Sequence, residues 1–556
     1  MQADDRRRAG WLTLATGTRV ERQEAMSIRA SGGVTVSIWA NTRIPLFDEP
    51  PPGDSEVVVI GAGIAGVTCA VELARMGKRV TLLDDGPIGG GETGRTSAHL
   101  ASAVDDRYCY LENKFGRDDA RLVYQSHASA IDYIERMVTS RTIECGFRRV
   151  DGYLFDPPES PSGGGIQEEL AAAQRAGLSC ELVRESPIVG FGGPALCFHD
   201  QAEFHPLQYL AGLVAYADDL GVSIHTGVHA DAIEPDEASR ERPLRVLLRG
   251  HGPIAARYVV DATNCDMSSS FKMCLQQAPY RSYCIAIEIP KGAIPHALYW
   301  ESGDNYHYIR VANAGSSEVL IVGGEDHRVG QDETGPQFAA LEAWIRRYVP
   351  DAGEVVAQWS GQIIEPVDGV AHIGRSPAIP NTFVCTGDSG NGLTHGTIAG
   401  ITIPKLVAGE EVPWARVYDP SRGHTHAAKT YITEAMNSSA PYLAWIRGGD
   451  VRSVDEIEPG CGALVRDGLK ILAAYRNDQG QCHVMSAVCP HLGGIVQWNA
   501  AEKSWDCPCH GSRFDALGTV VNGPALANLE PRETPLADGE PDDDFEPRAT
   551  QTSHAR

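Results

Sequence analysis

Apolar positions along this chain recur in two ways, as unbroken runs of four or five and at the three- and four-residue spacing of a helix. The two alternate most clearly in VVVIGAGIAGVTCAVELARMGKRVTLLDD, residues 57–85. Val57–Ile60 is a continuous apolar run, as expected of a strand covered on both faces. Helical spacing follows as far as Ala74, Gly77 stops it, and a second strand, Val80–Leu83, ends at Asp84. Further on, the pattern predicts a helix over Asp118–Met137 and another opened by His205-Pro206, with proline in its first turn. Val222 and Ile224 alternate with polar neighbours as a short strand, residues 244–250 form another, and RYVVDATN ends a third at Asp261 and Asn264. Residues 280–323, rich in short β-like runs, predict a second sheet, and 382–409 read as strand, glycine-rich turn and helix. A connector over 421–450 leads to a small β-rich module, 451–536, and there is no internal repeat.

Chemistry enters first at the front. Gly61-x-Gly63-x-x-Gly66 lies between the first strand and its helix, and Asp84 falls about 20 residues on. Glycines there allow a tight turn and close approach of backbone to a pyrophosphate resting on the helix N-terminus, and the acid reaches a ribose hydroxyl. Gly89–Gly94 repeats the glycine spacing but opens no second βαβ unit, so Gly91, Thr93 and Arg95 are expected along the same dinucleotide rather than around another.

The second signal is Cys489-Pro490-His491, fifteen residues, then Cys507-Pro508-Cys509-His510. Two Cys and two His also make a structural zinc set. Zinc fingers, however, tend to pair like with like, whereas each half here supplies one of each. That division suits a Rieske [2Fe–2S] centre, with two cysteines on one iron and two histidines on the other. The expected ligands are Cys489, Cys507, His491 and His510, and Cys509 is a buried thiol outside the set.

Composition narrows the setting. With 48 basic and 73 acidic residues the net charge is −25, which argues against nucleic acid or anionic membrane as partner. No apolar run approaches the roughly 18 residues of an integral membrane segment. Fourteen thinly spread cysteines point to reduced thiols and a cytoplasmic setting. Residues 1–33 are expected to be a disordered leader, with Met26 as a candidate start, and 537–556 a disordered polar tail.

With these motifs in place, residues 55–410 resemble the D-amino-acid oxidase (glycine/sarcosine oxidase) superfamily, through Gly61–Gly66, Asp84, GGGETGRTSAHL, VVDATN and GDSGNGLTHGTIAG. Residues 455–536 resemble a Rieske domain throughout, and the whole chain resembles bacterial FAD-dependent oxidoreductases with a C-terminal Rieske domain. The resemblance implies a Rossmann-like FAD-binding domain with an interleaved β-rich substrate domain, followed by a small all-β Rieske domain. The flavoprotein would cover 34–420, with FAD-binding parts 55–150, 200–280 and 365–415 and substrate parts 150–200 and 280–360. Asp388, Gly390, Asn391 and Gly392, with 365–374, would lie by the flavin ring, and Asp261 in VVDATN would be a further cofactor-binding residue. Some relatives attach FAD through a histidine where this chain has Arg95, so FAD is expected to be non-covalent. High-potential Rieske proteins pair a cysteine matching Cys509 with one at position 494, which here is Gly494. Ser512 matches their cluster-bonding serine, but their tyrosine is Phe514.

On the second sheet Tyr306, Tyr308 and Arg310 alternate to one side, either as a solvated strand face or as a grip for a substrate carboxylate. His327 is either a further catalytic candidate or structural. The expected function is oxidation of a small amine- or amino-acid-like metabolite by FAD. Electrons would leave through the cluster to a one-electron acceptor protein or quinone-like acceptor near His491 and His510. A non-catalytic or redox-sensing flavin and iron–sulfur electron-transfer protein is the alternative. A Rieske oxygenase would need two His and a carboxylate on a further iron, which His225 and His229, in strand-like sequence, do not suit.

Overall fold

Val57–Ile60 is buried because its strand, Asp54–Ile60, runs through the middle of a parallel sheet. Ile254–Asp261 and Val80–Leu83 flank it in parallel, Thr382–Thr386 follows Ile254–Asp261 on one side, and Ser223–His225 follows Val80–Leu83 on the other. The sheet has eight strands; antiparallel strands His372–Arg375, Leu244–Leu248 and Ala230–Pro235 complete it. Helix Ile64–Arg75 leaves the first strand and packs against the long helix Gly392–Ala408. Small residues allow the close fit: a Cβ on Gly400 would meet the Thr68 side chain. The structure, a computed structural model, describes residues 33–157, 165–265, 276–303, 306–314, 317–331, 335–422 and 449–534, with the single positions 267, 273 and 445. The expected leader (apart from Gly33), the tail and most of the connector lie outside the described residues.

The second sheet has nine strands and takes in Arg148–Phe155, Ala195–Glu203, Gln277–Ile289, His307–Ala314, Ser317–Arg328 and Val355–Pro366. Its pairings are antiparallel except that of Leu298–Glu301 with Arg148–Phe155. Chain that leaves the nucleotide sheet twice to build this one explains why the apolar pattern switches period in mid-sequence. The predicted helix over Asp118–Met137 extends to Arg117–Arg141. His205 caps helix Pro206–Asp219, its ring accepting from Gln208 N at 3.3 Å. The strand expected over 244–250 stops at Leu248, because Gly250 turns the chain with a φ of 75°.

Gly462–Asp467, Lys470–Arg476 and Cys482–Ser486 form a three-stranded antiparallel sheet, and the four short strands between Gln497 and Asn522 form another. A core that includes Leu464, Ile495, Trp505 and Phe514 joins them and takes in Cys489, Cys507 and Cys509.

Candidate functional site

The first strand and its helix hold a glycine turn in which a side chain would meet backbone at Gly61 and Gly66 and the Thr93 side chain at Gly63. Gly61 has φ 97°, and a Cβ there would lie 2.6 Å from Ala262 O. A Cβ on Gly66 would run into the carbonyl oxygen of Gly61, and one on Gly63 would lie 3.0 Å from Thr93 Oγ1. The helix N-terminus has no acidic residue in its first turn, so its dipole is open to an anion. Asp84 accepts from Ala62 N at 2.7 Å and Gly86 N at 2.9 Å, and burial pushes its carboxyl up to about 7. Asp261, expected to bind the cofactor, does not line the cavity: its carboxylate bonds Thr263 and Met267 N and shapes the turn after its strand.

These groups open onto a cavity of about 860 Å³, toward the upper end of the roughly 300–1,000 Å³ usual for small-molecule sites. Asp388, Gly390, Asn391 and Gly392 line it as well, at the N-terminus of Gly392–Ala408. Asp388 accepts from Ile364 N at 2.8 Å, and burial raises its carboxyl to about 7. Gly91, Thr93 and Arg95 also border the cavity. The Arg95 guanidinium, though, is committed to Ser360 O (2.7 Å), Thr35 O (2.9 Å) and Glu502 (3.3 Å).

The second-sheet candidates divide. Tyr306 and Tyr308 line the cavity, but Arg310, on the same strand face, does not. It is buried behind the wall, donating to Ala98 O at 2.8 Å and Phe204 O at 3.3 Å. His327 points to the other face, buried and stacked on Tyr283 with ring centroids 5.5 Å apart, while its neighbour Asp326 borders the cavity. Residues that the sequence reading missed are Asp105, Asp326, Trp300 and His99. Alternation along Ser317–Arg328 marks Asp326 as opposite His327; the loop position of Asp105 carries no such signal. Both ring nitrogens of His99 are engaged, with Ser97 Oγ (2.9 Å) and Ile309 O (3.3 Å).

The cysteine–histidine loops also reach this place. Cys489 and Cys507 are 1% exposed, and their proximity, with burial, pushes the Cys489 thiol up. The His491 ring stands edge-on to His510, centroids 5.0 Å apart, and its Nδ1 is buried with no protein hydrogen-bond partner. Facing thiols and an unsatisfied imidazole nitrogen are a donor set that a metal centre would complete. No three of the four residues bring donor atoms within 4.8 Å of one another. A single zinc would need ligand atoms about 3.3–3.8 Å apart, so a two-iron cluster fits and one zinc does not. Among the described residues, the three-donor group at that spacing is Asp151, Cys197 and His199, not two histidines and a carboxylate. His225 and His229 go to Glu49 O and Asp85. A Cβ on Gly494 would lie 2.5 Å from Cys509 Sγ, so thiol and glycine fill the place of a disulfide.

Pro490 and His491 line the same cavity as the glycine turn, as does the Rieske-module segment 519–528. Glu502 fastens the modules together. Fully buried, it accepts from Thr35 N at 3.1 Å and Arg281 at 3.1 Å, and also from Arg95 and Ser360. Burial alone would raise its carboxyl, but Arg281, Arg95 and Arg513 hold it down to about 2. Gln362 adds a bond to Gly511 O, next to His510, at 3.1 Å.

Comparison with known proteins agrees with this division. The FAD dependent oxidoreductase family matches residues 56–404, and the Rieske [2Fe-2S] domain matches 449–533. The putative Rieske 2Fe-2S iron-sulfur protein YhfW of Bacillus subtilis (strain 168) is 29% identical over 86% of this chain and 93% of its own. Among solved structures, glycine oxidase from Geobacillus kaustophilus shares the fold with a TM-score of 0.57 at 19% identity, over 67% of this chain and all of that one. L-proline dehydrogenase from P. horikoshii does so with a TM-score of 0.56 at 19% identity, over 67% and 98%. The glycine cradle fits a dinucleotide, the cysteine–histidine loops fit an iron–sulfur cluster, and the chain belongs to the FAD-dependent oxidoreductases of D-amino-acid oxidase type, with a C-terminal Rieske domain.

Proposed function

We propose that the protein is an FAD-dependent dehydrogenase that oxidises a C–N bond of a small amine- or amino-acid-like metabolite and passes the electrons through the Rieske cluster to an external acceptor. One observation carries this reading: His491, a cluster ligand by its motif, lines the cavity that also holds the glycine cradle and the Asp388–Gly392 turn. In this reading Gly61, Gly63 and the helix N-terminus hold the pyrophosphate, and Asp84 the ribose. Gly91 and Thr93 flank the cofactor, and Asp388, Gly390, Asn391 and Gly392 lie at the ring end. When bound, FAD supplies a two-electron acceptor and the cluster a one-electron relay, which accounts for both modules in one chain.

The choice of a C–N bond is carried over from the glycine oxidase and L-proline dehydrogenase that share the fold. His99 has both nitrogens bonded and Arg95 is held by Glu502, so FAD binds non-covalently, and acid precipitation should release it into the supernatant. The acceptor is a protein or a quinone-like group. Because His491 borders the cavity, the approach expected near both histidines falls to His510. A reducing, cytoplasmic setting is part of the reading, supported by the absence of disulfides among the described residues. Among those residues no helix is long and apolar enough to cross a membrane.

The test is anaerobic incubation of the purified protein with a panel of amines and amino acids, read as bleaching of the flavin absorption band. Bleaching by one class supports a dehydrogenase. A flavin that none of them reduces, yet a protein partner does, would establish the electron-transfer alternative.

A further inference from the structure

The substrate side of the cavity carries negative charge and aromatic surface, and the positive groups near it are all committed elsewhere. Asp105 and Asp326 are exposed residues, and what they are exposed to is the cavity. Asp105 packs against Gly390 and accepts from the Tyr306 hydroxyl at 3.0 Å. Trp300, Tyr306, Tyr308 and His99 line the same space. Tyr306 and Tyr308 have ring centroids 5.8 Å apart, and His99 stands edge-on to Tyr308 at 5.5 Å.

Two guanidinium groups line the cavity among the described residues, those of Arg95 and Arg249. Arg95 serves Glu502 and two backbone carbonyls, and Arg249 serves Asp231 and Leu526 O. Arg310, the expected carboxylate grip, donates to backbone carbonyls behind the wall. Burial, helped by Arg310, lowers His99 to about 3, so its ring is neutral.

We propose that the substrate is a cationic amine without a carboxylate at its bound end, its alkylated ammonium held between Asp105 and Asp326 against the faces of Trp300, Tyr306 and Tyr308. This names the substrate class within the dehydrogenase reading and rests on it. A substrate carboxylate here would be desolvated beside two like charges. Of the two phenols, Tyr306 already donates to Asp105, and Tyr308 shares a hydrogen bond with Ser282 at 2.9 Å, so neither offsets that repulsion. An alkylated ammonium reverses each term: it neutralises the carboxylates, and the ring faces attract it. Burial raises Asp105 to about 7 and Asp326 to about 6, and in Asp105 the charge of Asp326 adds to the rise. That strain is what a bound cation relieves.

The flavin- and cluster-loaded protein is titrated at constant ionic strength with tetramethylammonium and, separately, with acetate, following displacement of the flavin absorption bands. Tetramethylammonium should bind and acetate should not. Asp105→Asn and Asp326→Asn should each weaken the cation by about tenfold or more, with flavin and cluster content unchanged. Acetate binding as well as or better than tetramethylammonium overturns the proposal without recourse to any variant, as does cation binding indifferent to both substitutions. Anaerobic bleaching then separates this inference from the reading beneath it. A flavin reduced by N-alkylamines supports both. One reduced by amino acids and not by N-alkylamines overturns the substrate class and leaves the dehydrogenase standing. One reduced by neither overturns the dehydrogenase and the substrate class with it.

Discussion

Gly63 and Gly66 sit three residues apart in one motif, yet the structure separates their roles. A Cβ on Gly66 meets the carbonyl of Gly61 within the fold itself, whereas one on Gly63 meets only Thr93 Oγ1, at 3.0 Å. Gly63→Val should therefore leave a folded chain with its cluster spectrum intact and little bound flavin, measured as the ratio of flavin to iron. Gly66→Ala should fail earlier, in soluble yield, because helix and strand can no longer close together. The cluster permits a similar separation. Cys507→Ser should abolish the iron–sulfur spectrum while Cys509→Ser retains it; the opposite result would reverse the ligand assignment. With Gly494 opposite Cys509, and Phe514 buried with no hydroxyl to offer, a redox titration should place the midpoint in the lower part of the roughly −150 to +300 mV Rieske range. These residues were legible in the sequence because each motif is local. Asp105 and Asp326 were not: single acids in unremarkable stretches, they acquire meaning only when the loop after His99–Leu100 and the strand Ser317–Arg328 meet at one cavity.

At the scale of elements, the βαβ unit, the helix over Arg117–Arg141 and the strand–turn–helix at 382–408 all announce themselves through period and punctuation. The junction between the modules does not. Glu502 gathers Thr35, Arg95, Arg281 and Ser360, and its partners lie as far as 467 residues away in the chain. Nothing local in EKSW marks that acid as buried, and Val34 and Thr35, just beyond the expected leader, are part of the same joint, both bonded to Glu502. Removing one member of a buried ion pair leaves the others uncompensated, at a cost of about 3–5 kcal/mol. The depression of Glu502 from 4.5 to about 2 gives a similar figure, about 3 kcal/mol. Because the folded carboxyl titrates below the unfolded one, this stability is present above the unfolded value of 4.5 and is lost as pH falls toward 2. Glu502→Gln should thus lower the unfolding free energy by about that amount at neutral pH. The gap between wild type and variant should narrow as the denaturation series moves below pH 4.5. A gap that widens on acidification would mean that the carboxyl is not held down by its arginines.

For the whole molecule, the arrangement implies a direction of electron flow. The glycine cradle and the His491 loop open onto one cavity, so in the proposed reading a substrate oxidised to product beside the Asp388–Gly392 turn leaves its electrons next to a one-electron relay. Among the described residues one βαβ unit carries the glycine signature, built on Asp54–Ile60 and Val80–Leu83, and in the proposed reading FAD takes it. No comparable unit remains among the described residues for NADH to feed electrons in from the other side. The chain should then be a poor NADH oxidase, and reduction should reach the flavin before the cluster. Rapid mixing of substrate with His510→Ala, which removes an expected cluster ligand but no residue of the cradle, separates the two steps. Flavin bleaching should keep the wild-type rate, while transfer to a one-electron acceptor such as a cytochrome should fall by about tenfold or more, equivalent to at least about 1.4 kcal/mol in barrier. Rapid reduction of the cluster by NADH, with the flavin following, would reverse the direction. The shared cavity would then serve to load the flavin from the cluster rather than to empty it.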